Sequence, residues 1–75
     1  MGLNEPRIAE RLWRLRKRQQ NIDAVLRDTD EGVTLEFAMN GQHLTTRRCR
    51  SRAQALTEAT EQRKELERAG WTTHW

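Results

Sequence analysis

The chain has 75 residues, a formal net charge of +3, and 33% of its residues are charged. A chain of this length makes one small domain, whose core is marginal unless a partner completes it. One cysteine cannot form an intramolecular disulfide, and the lone thiol of Cys49 suits a reducing compartment, so we expect a cytoplasmic protein. No stretch approaches the ~20 apolar residues of a membrane span, and we expect no secretory signal.

Positive charge is concentrated in two parts of the chain. Residues 1–20 carry six Lys or Arg and two acids, and residues 33–50 carry three Arg and one acid. By contrast, residues 51–75 carry four charges of each sign. A negatively charged partner is therefore expected to bind at the first or the second of these basic segments.

Residues 6–20 are predicted to form the first helix. Pro6 suits the first helical position, and Ile8, Leu12 and Leu15 recur at helical spacing on one face. A second face of this helix would carry only arginines, within an arc of about 60° and over roughly 16 Å of its axis. These are Arg7, Arg11, Arg14 and Arg18.

Three strands are predicted next, at about 22–28, 33–39 and 42–49, forming an antiparallel meander. Gly32 is expected in the left-handed region at the first turn. Asn40-Gly41 is typical of a type I′ turn between the second and third strands. Such a two-residue loop would pair Met39 with Gln42 and Phe37 with Leu44.

A second helix is predicted over about 52–69. Ser51 and Gln54 have the spacing of a capping box, and Gly70 is placed to end the helix in a Schellman motif. That motif would bring Trp71 against Leu66. For the tail, 70–75, the sequence leaves open whether it folds back along the sheet or extends into solvent.

The predicted fold class is therefore α+β, a single small domain spanning 1–75. It would have a three-stranded antiparallel sheet with an N-terminal and a C-terminal helix, in the order α-β-β-β-α. Its core is predicted from the apolar face of each element. The expected core residues are Ile8, Leu12, Trp13, Leu15, Ile22, Leu26, Val33, Leu35, Phe37, Met39, Leu44, Leu56, Leu66 and Trp71.

Four further arginines lie where the third strand meets the second helix, beside backbone N–H groups that attract anions. These are Arg47, Arg48, Arg50 and Arg52. Together with the helical stripe, they favour a small non-enzymatic protein that holds nucleic-acid phosphates without reading sequence. The nucleic-acid interpretation is strengthened if both arginine clusters share one face of the fold, and it is weakened if they point apart.

Other interpretations remain open for the same residues. The arginine stripe is also typical of a helix face that is simply exposed to solvent. The second cluster is also typical of a strand end that serves solubility alone. A protein-interaction module or homodimeric regulator with an acidic protein partner is the main alternative function. A first helix that binds an acidic membrane surface is a third.

The sequence predicts neither catalysis nor a cofactor or metal. Cys49, His43 and His74 are the only Cys and His residues, and no pair of them has zinc-finger spacing. Cys49 and His43 would lie roughly 20 Å apart along one strand, too far for a nucleophile and its base. Trp13 and Trp71 are assigned to packing, while Trp75 is left undecided.

The predicted order, with Arg50 and Arg52 at the start of the last helix, resembles the layout of double-stranded RNA-binding domains. That resemblance implies phosphate contacts at these two arginines. The chain departs from the family in its acidic first turn, 28–32, and in lacking a lysine-rich motif in the last helix. The segments RLWRLRK, GVTLEF, SRAQAL and ELERAGW are similar to small uncharacterised bacterial proteins, a similarity that implies no function.

Overall fold

In the computed structural model, residues 9–30 and 32–73 are described. They form an antiparallel sheet of five strands in the order β4-β3-β2-β1-β5, with one helix packed across one of its faces. The elements are β1 (Ala9–Lys17), β2 (Gln20–Thr29), β3 (Gly32–Met39), β4 (Gln42–Cys49), α1 (Arg52–Arg68) and β5 (Thr72–Thr73). No helix within the described ranges is long and apolar enough to cross a membrane.

The predicted α-β-β-β-α order is wrong, because the segment predicted as the first helix is a strand. From Ala9 onward it forms β1 and the turn into β2, while residues 6–8 lie outside the described ranges. Trp13 and Leu15 of β1 are buried opposite Ala24 and Ile22 of β2. Helix propensity differs by only a few tenths of a kcal/mol per residue, so burial in a sheet readily outweighs it.

A β-bulge explains why β1 has the apolar pattern of a helix. The register of β1 against β2 shifts between Arg11 and Trp13, so that Leu12 is the extra residue. Leu12 is half-buried against the core, and Leu15 is fully buried three residues later. In an unbroken strand, residues three apart point to opposite faces, whereas the bulge lets both contact the core. A helix gives the same spacing.

The hairpin of β3 and β4 begins as predicted and then departs from the predicted register. Asn40 and Gly41 have φ values of 52° and 84°, as a type I′ turn requires, and Met39 pairs with Gln42. Beyond Ala38 a register shift pairs Phe37 with Thr45 instead of Leu44. The prediction that Leu44 is a core residue is therefore wrong, and its side chain is 53% exposed.

Both ends of α1 have the predicted capping residues, although the Gln54 side chain accepts from Arg50 N–H and not from Ser51 N–H as in a capping box. The Ser51 hydroxyl accepts a hydrogen bond from the Gln54 amide at 3.1 Å. At the other end, Trp71 N–H donates to Leu66 O and Gly70 N–H donates to Glu67 O, which is the Schellman pattern. Trp71 is buried, and the chain then folds back so that β5 pairs with β1.

The core lies between α1 and the sheet. Its small helix residues, Ala55 and Ala59, are nearly inaccessible to solvent, whereas Leu56, predicted in the core, is 38% exposed. Trp13 spans the gap by donating its indole N–H to Ala59 O at 3.0 Å. The buried residues are Trp13, Leu15, Ile22, Ala24, Leu26, Leu35, Phe37, Cys49, Ala55, Ala59 and Trp71, with Leu12, Val33, Met39 and Leu66 at the edge.

Candidate nucleic-acid interface

The sheet has one face under α1 and one face that no described element covers. We call the second one the open face. Residues directly opposite in paired strands share a face, and alternate residues of one strand do not. The core positions therefore define the open face as Ala9, Arg11, Arg14, Arg16, Asn21, Asp23, Val25, Arg27, Thr29, Thr34, Glu36, Ala38, His43, Thr46, Arg48 and Thr72.

The open face is basic, with five arginines against two acids. The Asp23 carboxylate accepts two hydrogen bonds from Arg14, from Nε at 2.6 Å and from Nη2 at 3.0 Å. This contact raises the pKa of Arg14. Arg27 Nε donates to Glu36 at 3.0 Å. Both acids therefore contact arginines of the same face, and positive charges outnumber negative ones by three.

The outer surface of α1 differs, because its charges are balanced and lie in pairs. Arg63 contacts Glu67 at 3.0 Å, one helical turn along. Arg68 contacts Glu65 at 2.8 Å. Over its whole length α1 carries four basic and four acidic side chains. The excess of basic residues is therefore a property of the open face and not of the surface in general.

The four arginines of the predicted helical stripe do not form a stripe. Arg11 and Arg14 lie on the open face, where the β-bulge at Leu12 keeps their side chains on one side of the sheet. Arg18 lies in the turn between β1 and β2 with φ of 58°, and its carbonyl accepts from Arg16 Nε at 3.2 Å. Arg7 lies outside the described residues.

The second predicted cluster is divided between the two sides of the sheet. Arg48 opposes Thr34 on the open face, while Arg47 opposes buried Leu35 and contacts Glu58 of α1 at 3.1 Å. Arg52 donates to Glu10 at 2.7 Å, a contact that raises the pKa of Arg52. Arg50 is exposed between β4 and α1.

The two predicted arginine clusters therefore lie only partly on the same face of the sheet. Arg11, Arg14 and Arg48 share the open face, whereas Arg47 and Arg52 contact acids on the helix side. The amides at the start of α1 are also partly engaged, since Ser51 caps Gln54. One of the amides expected to attract an anion there, Gln54 N–H, is thus already bonded to a side-chain oxygen of the chain itself.

Two arginines of the open face, Arg16 and Arg27, were not among the predicted site residues. For Arg27 the signal was present, because the predicted strand alternates and puts Arg27 on the face of Asp23 and Val25. For Arg16 the signal was the alternation Trp13-Arg14-Leu15-Arg16, a two-residue period that the helical interpretation of the segment obscured.

The remaining chemistry-bearing residues lie in the core or on the open face. Trp13 and Trp71 are 3% and 9% exposed, which confirms their assignment to packing. Burial raises the pKa of the Cys49 thiol and keeps it protonated at neutral pH. His43 Nε2 lies 2.6 Å from the Thr46 hydroxyl on the open face. No group of three or more possible metal ligands occurs among the described residues, and Trp75 lies outside them.

Comparisons with protein-family models, curated proteins and solved structures found no match to this chain. The predicted resemblance in layout to double-stranded RNA-binding domains is wrong, because the segment expected to form the first helix forms β1. Arg52, one of the two residues that this resemblance singled out, contacts Glu10 instead. The only indications of function are therefore the side chains of this protein and their arrangement.

Proposed function

We propose that the protein is a small non-enzymatic nucleic-acid-binding protein that contacts the phosphate backbone with the open face of its sheet. The observation that carries this proposal is the excess of arginine on a face that no described element covers. Proteins that neutralise phosphates with arginine gain affinity by releasing counterions, whatever the base sequence. The single thiol of Cys49 suits such an activity in the cytoplasm.

The size of the open face suits several phosphate contacts. Neighbouring strands lie about 4.8 Å apart, so β4, which carries Arg48, and β1, which carries Arg11, Arg14 and Arg16, are roughly 14 Å apart across the sheet. Along β1, Arg11 and Arg16 are separated by roughly 15 Å at the rise of an extended strand. A duplex carries one negative charge per ~1.7 Å of its axis, so a face of these dimensions meets several phosphates at once.

The composition of the face also favours one mode of binding over another. It contains no Phe, Tyr or Trp, and Trp13 and Trp71 are buried in the core. Proteins specialised for single strands usually stack bases on exposed aromatic rings. We therefore propose a duplex ligand, bound with little sequence preference.

Binding of labelled duplex RNA, duplex DNA and single-stranded DNA at two salt concentrations tests the proposal. The informative variant combines Arg11→Gln, Arg16→Gln and Arg27→Gln on the open face. A matched control combines Arg63→Gln, Lys64→Gln and Arg68→Gln on α1, which removes the same formal charge from the helix side. Circular dichroism would verify that both variants fold.

The expected result is micromolar, salt-sensitive binding to duplexes that weakens much more in the open-face variant than in the control. The slope of log affinity against log salt should become shallower by about 0.9 for each arginine that contacts a phosphate of duplex DNA. Equal weakening of both variants would show that net charge, and not this face, attracts the ligand. Absence of binding at low salt would overturn the proposal.

A further inference from the structure

The outer edge of β4 is the longest stretch of unpaired strand backbone in the described part of the sheet. β4 pairs with β3 alone and stands last in the strand order, whereas the opposite edge of the sheet is shortened by β5. Seven of the eight residues of β4 are exposed, and only Cys49 is buried. Unpaired N–H and C=O groups on such an edge can hydrogen-bond an additional extended chain.

An apolar cleft lies along the helix side of this edge. It has a volume of about 160 Å³ and lies between β4 and α1. It is lined by four apolar residues and three polar ones, and Leu44 is 53% exposed. The apolar residues are Ile22, Phe37, Leu44 and Leu66, and the polar ones are Thr45, Arg47 and Gln62. The bulge at Leu44 turns this side chain toward the cleft, although strict alternation would place it on the open face. The cleft has room for an apolar side chain from an added strand.

The charge of β4 indicates what an added strand would carry on its other side. β4 contains Arg47, Arg48 and His43 and no acid. Arg47 is on the helix side, where it contacts Glu58, and Arg48 is on the open face, which carries five arginines against two acids. Acidic side chains would therefore be favoured on the open-face side of the added strand, and apolar ones on the cleft side.

From these observations we infer that β4 binds an extended peptide in which apolar and acidic residues alternate. The peptide adds a sixth strand to the sheet. Its backbone hydrogen-bonds the β4 edge, one apolar residue fills the cleft beside Leu44, and its acidic residues lie toward Arg48. This site lies at the edge of the sheet and shares only Arg48 with the phosphate-binding surface proposed above, whose other arginines lie on β1 and β2.

A second copy of this chain is a poorer occupant of the same edge. Antiparallel pairing of two β4 strands would bring the basic side chains of both copies together, and neither strand contains an acid. Charged side chains on edge strands commonly prevent such self-association. The same charges that disfavour a basic copy favour an acidic peptide.

The test uses fluorescence anisotropy with a labelled eight-residue peptide in which valine and glutamate alternate. A peptide of the same composition with the two residue types in separate blocks serves as the control for charge alone. Two further peptides carry N-methyl groups on alternate amides, in opposite phase. Since an added strand donates only every second amide to the edge, one methylated peptide should bind and the other should not.

Two substitutions locate the site on the protein. Leu44→Ser should weaken binding of the alternating peptide about tenfold, the loss expected for one apolar side chain that is no longer buried. Leu56→Ser removes a comparable exposed leucine from α1, away from the cleft, and should leave binding unchanged. Both positions are exposed, so neither variant is expected to unfold the protein.

Several outcomes would overturn the inference. Equal binding of the alternating and the block peptide, or of both methylated peptides, would mean that no strand is added. A dimer in sedimentation that Leu44→Ser converts to a monomer would assign the edge to a second copy. If the open-face triple variant abolished both peptide and duplex binding, one charged surface would explain both. Loss of duplex binding alone would leave this inference standing while the proposed function failed.

Discussion

The two faces of one sheet differ in what holds their residues in place. Leu26 and Val25 are neighbours on β2, yet Leu26 is 1% exposed under α1 while Val25 is half-buried on the open face. On the covered face, apolar contacts and one indole hydrogen bond close the core. On the open face, ion pairs between neighbouring strands predominate. The stability of the fold thus depends mainly on one face, which leaves the other to vary for binding.

The largest expected effect is the loss of stability when a buried side chain is removed from the covered face. Leu26→Ala leaves a cavity in the core and should lower the free energy of unfolding by about 2–5 kcal/mol. Val25→Ala, one residue earlier on the open face, should lower it by about 1 kcal/mol or less. Urea denaturation followed by circular dichroism measures both. Similar losses in the two variants would mean that the open face is also buried in the native protein.

The next effect concerns the hydrogen bond between Trp13 and α1. Trp13→Phe removes the indole N–H that donates to Ala59 O and should destabilise the protein by about 1–3 kcal/mol. Trp71→Phe makes the same change in size at the end of the helix and serves as the comparison. Thermal unfolding should show the greater loss in Trp13→Phe, and the reverse order would contradict the role assigned to this bond.

A smaller effect should appear in binding when charge is removed from the open face. Asp23→Asn deletes one of its two acids and should tighten duplex binding a few-fold at low salt, because phosphates are repelled less. Glu61→Gln makes an equal change of charge on α1 and should alter binding much less. Titration by fluorescence anisotropy distinguishes them, and equal effects would argue against a face-specific contact.

The smallest effect is the pH dependence due to Cys49. Burial raises the pKa of this thiol in the folded state, so its contribution to stability is complete below the thiol's ordinary pKa and declines as pH rises through the folded value. The urea midpoint should therefore fall less between pH 7 and pH 10 in Cys49→Ala than in the unaltered protein. Parallel declines would contradict this, and slow reaction of the folded protein with a thiol reagent provides a second check.

The part of the fold that the sequence predicted is the part specified by local signals. β2 and β3 alternate apolar and polar residues, and Gly32 and Asn40-Gly41 provide the positive φ values of the turns before and after β3. The ends of α1 follow from Ser51 and Gly70 through hydrogen bonds within a few residues. Such features depend little on the rest of the chain.

β1 and β5 could not be predicted in this way. The bulge at Leu12 gives β1 a helical spacing of apolar residues, and the turn after it contains Arg18 and Gln19 without a Gly, Asn or Pro to mark it. β5 is only two residues long, too short to show any period. Because the first segment was assigned to a helix, Arg11 and Arg14 were predicted on one helix face with Arg7 and Arg18, and whether Arg48 shared that face was left open.

The return of β5 to β1 has a consequence for the order in which the chain folds. β1 to β4 are joined by short turns, so their pairing closes only small loops. The pairing of Leu15 with Thr73 instead links strands from nearly opposite ends of the described chain, and it must await both the meander and α1. On a ribosome, the four-stranded meander can therefore assemble early, while the sheet is completed only after Trp71 and the two threonines emerge.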